Sequence, residues 1–239
     1  MPVKDFKLAV SEADSRMRRQ RALIGGTWEK RREHGTPSEL GGGRYALDPV
    51  FVPADLARLR AHCAPVADRP LVFEIGFQMG EFAAAFCAQR PAVRFAGFEV
   101  RAQYVREANQ RLEQQNISNA LLSMIDARQI IGEVVDPGTL DELFVFFPDP
   151  WWKPRHIRRR LISEDFVADA GQWLRPGGRL LLKTDVIAYA DMAQGVMAAD
   201  PQFAVERLAD SSAALPPTLR EKRCHFHGMP TYAVQAVRR

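Results

Sequence analysis

An open α/β sheet, mostly parallel and flanked by helices on both faces, is the fold class this sequence predicts. Three observations carry the prediction. From Pro70 onward, short apolar runs alternate with longer stretches of helical period, the pattern of strand–helix–strand crossovers. Glycines interrupt the first strand-to-helix junction, at Gly76 and Gly80, where a backbone must turn tightly or approach a ligand. Successive apolar runs also end in acids, and in a parallel sheet ligands gather beyond the carboxyl ends of strands.

The elements follow in order. Residues 46 to 69 read as a helical lead-in, with Pro53-Ala54-Asp55 as its start before Leu56 and Leu59. Leu71-Val72-Phe73 is the first strand, and Glu81 to Gln89 the first helix of the repeat. Val93 to Val100 is a strand, Arg101 to Gln115 a helix, and Ala120 to Ile125 a short strand. Leu143 to Phe147 is an apolar run of buried-strand length, stopped at Pro148-Asp149-Pro150 because proline cannot donate to a ladder. Ile162 to Leu174 is helical and ended by Pro176-Gly177-Gly178. Arg179 to Lys183 is the fifth strand, 186 to 199 a helix, and strands near Phe203 to Leu208 and Tyr232 to Val237 complete a sheet of seven.

Composition sets the outer bounds. The 239 residues are 46% hydrophobic and 26% charged, enough for one sizeable core. No apolar run reaches the roughly 18 residues a membrane span requires, and the N-terminus has no apolar signal core. Three scattered cysteines, Cys63, Cys87 and Cys224, suit reduced thiols, so a cytoplasmic protein is expected. Residues 1–45 form a basic, glycine-dotted arm, expected to be flexible or to order on RNA; residues 46–239 are expected to form one domain. Cys224, His225 and His227 cluster, but no second Cys or His pair at zinc-finger spacing accompanies them, so no metal is expected.

Two stretches carry chemistry. In Phe73-Glu74-Ile75-Gly76-Phe77-Gln78-Met79-Gly80, a carboxylate precedes the turn and would repel a pyrophosphate; it suits a cationic ligand such as S-adenosylmethionine. Glu99 lies 25 residues further on, near the spacing of a ribose-binding acid, and Asp126 follows the third strand where an adenine edge would lie. Each acid alone could equally be a cap or turn residue. The other stretch is Phe147-Pro148-Asp149-Pro150-Trp151-Trp152, followed by Lys153, Arg155, Arg158, Arg159 and Arg160, five cations within eight residues. A rigid carboxylate beside flat rings and a basic run suits a nucleic-acid base in its phosphate backbone.

These segments resemble the bacterial tRNA (guanine-N7)-methyltransferase family, from about Pro70 to the C-terminus. The resemblance implies a Rossmann-like class I methyltransferase fold, S-adenosylmethionine as cofactor and tRNA as partner. It implies that Glu74, Gly76, Gly80, Glu99, Asp126 and Asp149 line the cofactor pocket, and that Asp149 is catalytic. Lys153, Arg155, Arg158, Arg159 and Arg160 would hold tRNA, with Asp185 of Thr184-Asp185 and Thr218 and Glu221 of a Thr-x-x-Glu motif as further substrate contacts. From spacing alone, Thr218 and Glu221 serve equally as a helix capping box. One departure is Gln78, where the family has glycine. Two alternatives stand beside this expectation: an exocyclic-amine RNA methyltransferase, since Pro148-Asp149-Pro150-Trp151 partly imitates that turn, and an RNA-binding protein on the same scaffold with impaired catalysis. The expected assembly is a monomer or homodimer.

Overall fold

The computed structural model describes residues 53–209 and 215–239. The basic arm therefore lies outside the described residues. Helix α1 (Pro53–Cys63) leads into β1 (Leu71–Ile75), α2 (Glu81–Gln89), β2 (Arg94–Glu99), α3 (Ala102–Gln114), β3 (Ala120–Met124) and α4 (Ala127–Val134). Then follow β4 (Leu140–Phe146), a 3-10 helix (Pro154–Arg159), α5 (Glu164–Trp173), β5 (Leu174–Thr184), α6 (Ile187–Ala199), β6 (Phe203–Leu208), α7 (Leu219–Phe226) and β7 (Tyr232–Arg238).

The described strands form one seven-stranded sheet in the order β3-β2-β1-β4-β5-β7-β6. The first five in that order are mutually parallel; β7 runs antiparallel to both β5 and β6. Side chains alternate across the strands, as the pleat requires. Phe73, Leu143 and Val145 join Leu59, Ile130, Phe166 and Tyr189 in one buried cluster, so α1, α4, α5 and α6 cover that face. Val72, Phe144 and Phe146 join Phe82, Phe86, Ala108 and Leu112 in the other, beneath α2 and α3. There Phe82 meets Phe144 and Phe146 edge-on at 5.5 and 4.9 Å, contacts of about 1 kcal/mol each beyond burial. This packing anchors the carboxyl end of β4, and so the turn that follows it.

Most sequence boundaries fall within a residue or two of the observed ones, and three differences have physical causes. Strand β4 begins earlier, at Leu140, because its charged residues are used: Asp141 accepts from the Leu71 amide at 2.8 Å, and Glu142 is paired with Arg90 and Arg179. Strand β5 begins at Leu174, before the Pro-Gly-Gly expected to separate helix from strand. Leu174 pairs with Leu140, and the ladder shifts register before Glu142 and Arg179 pair. Gly178 permits this, since a Cβ there would stand 2.9 Å from the carbonyl oxygens of Arg175 and Leu140. Helices α4 and α7 are short and capped by side chains, Asp126 and Thr218, and neither was expected as a helix outright. Among the described residues no helix is long and apolar enough to cross a membrane.

Candidate active site at the sheet rim

Strands β1 and β4 are neighbours, with Ile75 beside Val145, so the two loops singled out in the sequence leave the sheet side by side. Between them and the start of α7 lies a narrow, open cleft, whose walls include Glu74, Gln78, Phe147 and Arg220.

The β1 side is a turn of left-handed backbone. Gly76, Gln78 and Gly80 have φ of 81°, 52° and 72°. Gly80 is required twice over, since a Cβ would also stand 2.7 Å from that of Ala108 on α3. Gln78 occupies a conformation that glycine adopts freely and glutamine does not. Its amide donates to Glu99 Oε2 at 3.3 Å, while Glu99 Oε1 accepts from the amides of Val100 and Arg101 at 2.9 and 3.1 Å. Glu99 thus ties the ends of β1 and β2 together. Burial raises its carboxyl above the ordinary range, and those backbone donors and Arg101 oppose the rise.

Glu74 is buried, and its Oε2 has no hydrogen-bond partner among the described residues. Burial, with the Glu99 charge adding, pushes its carboxyl up to about 8, against the pull of Lys183. A buried acceptor without a donor, opening on a cleft, fits a ligand that brings a positive charge or an N–H. Asp126 stands differently. It caps α4 through the Arg128 amide at 3.0 Å and holds the Arg128 guanidinium at 3.0 and 2.6 Å.

On the β4 side, Phe147 and Trp151 bracket Pro148-Asp149-Pro150 with φ of 51° and 41°. Three residues thus leave the sheet between two backbone positions that L-residues avoid, a pattern associated with functional turns. Phe147 donates to the Lys183 carbonyl at 2.7 Å, extending the bond to β5. Asp149 is half-buried at the tip. The two tryptophans divide: Trp152 packs against the large core cluster, and Trp151 meets the edge of His156 at 5.4 Å with the Arg159 guanidinium over its ring at 5.3 Å. Lys153, just before the 3-10 helix, and Arg159, its last residue, are exposed. Arg160 is half-buried over Trp152.

The β5 side contains features that motif spacing did not reveal. Lys183 is fully buried and donates to Glu221 Oε1 at 2.7 Å, and Glu221 is fully buried too. Glu221 Oε2 accepts from the Thr218 amide at 2.7 Å while Thr218 Oγ1 accepts from the Glu221 amide at 3.1 Å. Thr218 and Glu221 therefore form the capping box that spacing allowed, and both Glu221 oxygens point into the protein. Asp185 pairs with Arg220. The signal in the sequence was Lys183 itself, a lone charge ending the run Leu180-Leu181-Leu182. Cys224 is buried, while His225 and His227 are exposed.

Comparison with known proteins agrees with this architecture. Residues 68–234 match the model of a family described as "Putative methyltransferase". A tRNA (guanine-N(7)-)-methyltransferase of Acidovorax sp. strain JS42 is 39% identical over 160 residues, covering 67% of this chain and 62% of its own length. One from Ralstonia nicotianae is 41% identical over 145 residues, 61% of this chain and 57% of its own. The chain thus spans about three fifths of these relatives. Among solved structures, the antibiotic-resistance methyltransferase Kmr superposes with a TM-score of 0.53 at 17% identity, over 79% of this chain and 96% of that one. The fold is the Rossmann-like class I methyltransferase fold.

Proposed function

The chain belongs to the methyltransferase family matched over residues 68–234, and from that premise we propose that it methylates N7 of a guanine in tRNA, using S-adenosylmethionine. One observation carries the reading: buried carboxylates end β1 and β2, Glu74 with one oxygen unpartnered among the described residues, while β4, the strand beside β1, ends in a carboxylate turn followed by exposed cations. The first set suits a cationic cofactor, the second a base in a phosphate backbone. The relatives named above carry the same activity in their names.

S-adenosylmethionine supplies a methyl group on a positively charged sulfur. Glu74 and Glu99 would hold the positive end of that molecule, the turn from Gly76 to Gly80 would let it approach the backbone, and Asp126 would lie toward its adenine end. Guanine N7 offers a lone pair and has no proton to lose, so no strong general base is needed. What remains is positioning and electrostatics. Asp149 would accept from the N1 and N2 hydrogens of the base and oppose the positive charge that grows on it as N7 is alkylated. Lys153, Arg155, Arg158 and Arg159 would hold flanking phosphates. Asp185 and Glu221 serve the substrate indirectly, by fastening α7 to β5 at the wall of the cleft, and Thr218 does so by capping α7. The methyltransferase domain would span 46–239, with 1–45 as an RNA-facing arm, in a cytoplasmic monomer or homodimer.

The test is to incubate the purified protein with unmodified tRNA and S-adenosylmethionine, digest the RNA, and identify the methylated nucleoside by mass spectrometry. 7-Methylguanosine is expected. Asp149→Ala should lower its rate of formation by about 100-fold or more while tRNA affinity stays within about 3-fold. Methylation at an exocyclic amine would instead select the rival reading of the Pro-Asp-Pro turn.

A further inference from the structure

We infer that Arg160, the last of the five cations, is a positioning residue for the Pro148-Asp149-Pro150 turn and not a phosphate contact. The inference rests on the proposed role of Asp149.

Sequence alone groups Arg160 with its neighbours, but its surroundings separate it from them. Its Nε donates to the Pro150 carbonyl at 2.9 Å, and its guanidinium lies over the Trp152 ring at 5.3 Å. Pro150 is buried, and Trp152 packs against the core cluster that contains Tyr189 of α6. Burial draws the Arg160 guanidinium below its ordinary range, with Tyr189 opposing. Burial raises the Tyr189 hydroxyl to about 12, with the Arg160 charge pulling it down and the Asp149 charge pushing it up. Arg159, one residue earlier, is exposed and rests on Trp151, which is not part of the core clusters. Adjacent arginines therefore face opposite ways, one toward solvent and one toward the core.

The turn needs such a brace. Proline removes two of its backbone donors, and Phe147 and Trp151 sit at left-handed φ at its ends. A conformation of this kind persists only where its surroundings over-determine it. Ladder bonding to β5 restrains the Phe147 side, through the Lys183 carbonyl. On the other side the bond from Arg160 to Pro150 does the same. A planar guanidinium can stack on an indole and donate in its own plane at once, which an ammonium cannot.

Arg160→Lys keeps the charge and removes this geometry. Turnover should fall by about 10- to 100-fold, the cost of a displaced reacting group. The tRNA dissociation constant and its salt slope should stay within about 2-fold of wild type, because the count of surface cations is unchanged. Amide hydrogen exchange over residues 147–153 should speed up while the core strands stay protected. Trp152→Phe, which keeps the packing and weakens the stack, should move exchange and turnover the same way by less, and it stands in if Arg160→Lys does not fold. Wild-type turnover in Arg160→Lys, or unchanged exchange at the turn, would overturn the inference; so would Arg160→Ala acting on tRNA affinity and salt slope alone. Failure of the function reads out separately, in the nucleoside the wild type makes. If that is not 7-methylguanosine, the turnover ratio still judges Arg160, and if there is none, the exchange data do.

Discussion

Glu74 and Glu221 are both buried glutamates on the same rim, and they are in opposite states. Glu221 spends both oxygens inside the protein, on Lys183 and on the Thr218 amide. Glu74 leaves Oε2 without a partner among the described residues and its carboxyl rises to about 8. Lys183 reaches both: it bonds to Glu221 and also lowers the rise at Glu74. A buried carboxylate that the protein neutralises is architecture, here the pin between β5 and α7. One that it leaves uncompensated beside a cleft is capacity for a ligand.

The largest way to break this contrast is to remove the shared lysine. Lys183→Met strands Glu221 in the core, and a buried charge without its partner costs about 3–5 kcal/mol, measured by urea unfolding. Lys183→Met with Glu221→Leu should recover part of that loss. A cost under about 1 kcal/mol for the single variant would mean that the pair does not hold α7 in place.

The next is Glu74→Gln. The wild-type carboxyl titrates near 8 when folded against an ordinary 4.5, so the folded state keeps a proton that the unfolded chain has lost. This contribution to stability is fully present below about 4.5 and is lost as pH rises to about 8, at about 1.4 kcal/mol per pH unit. Glu74→Gln should flatten the slope. Affinity for S-adenosylmethionine should tighten in the wild type as pH rises through 8, because ionised Glu74 attracts a cation, and this rise should vanish in Glu74→Gln. A stability profile that is the same in both proteins would place the titration elsewhere.

The smallest effect sharpens the ligand side alone. Gln78→Gly relieves a left-handed φ of 52° but adds freedom to the unfolded chain, leaving a net gain of about 0.5 kcal/mol in thermal unfolding. Cofactor affinity should improve modestly as a side chain leaves the cleft wall. A loss of stability would show that the Gln78 side chain makes contacts worth more than the strain.

The contrast also sorts what was legible. Periodicity and turn residues located seven strands, five of them within about two residues of their observed bounds and β4 and β5 starting three and five residues earlier than read. The acids at strand ends were visible as residues. Their states were not: Asp126 holds Arg128 and caps α4, Asp185 holds Arg220, and Glu74 keeps Oε2 unpartnered among the described residues. The basic run likewise read as uniform, although Arg159 faces outward and Arg160 inward.

By itself, then, the chain carried the motifs by which it resembles its family, and it determined the order of its strands, the glycine turn after β1 and the carboxylate turn after β4. Those are local matters, settled by side-chain period, by proline's missing donor and by glycine's tolerance of positive φ. Tertiary structure decided which charges are compensated. An ion pair between residues 38 positions apart, Lys183 and Glu221, depends on where β5 and α7 meet. Desolvation of Glu74 depends on both faces of the sheet being covered. Burial and partner, set by the fold, turn one glutamate into a pin and leave the other open to a ligand.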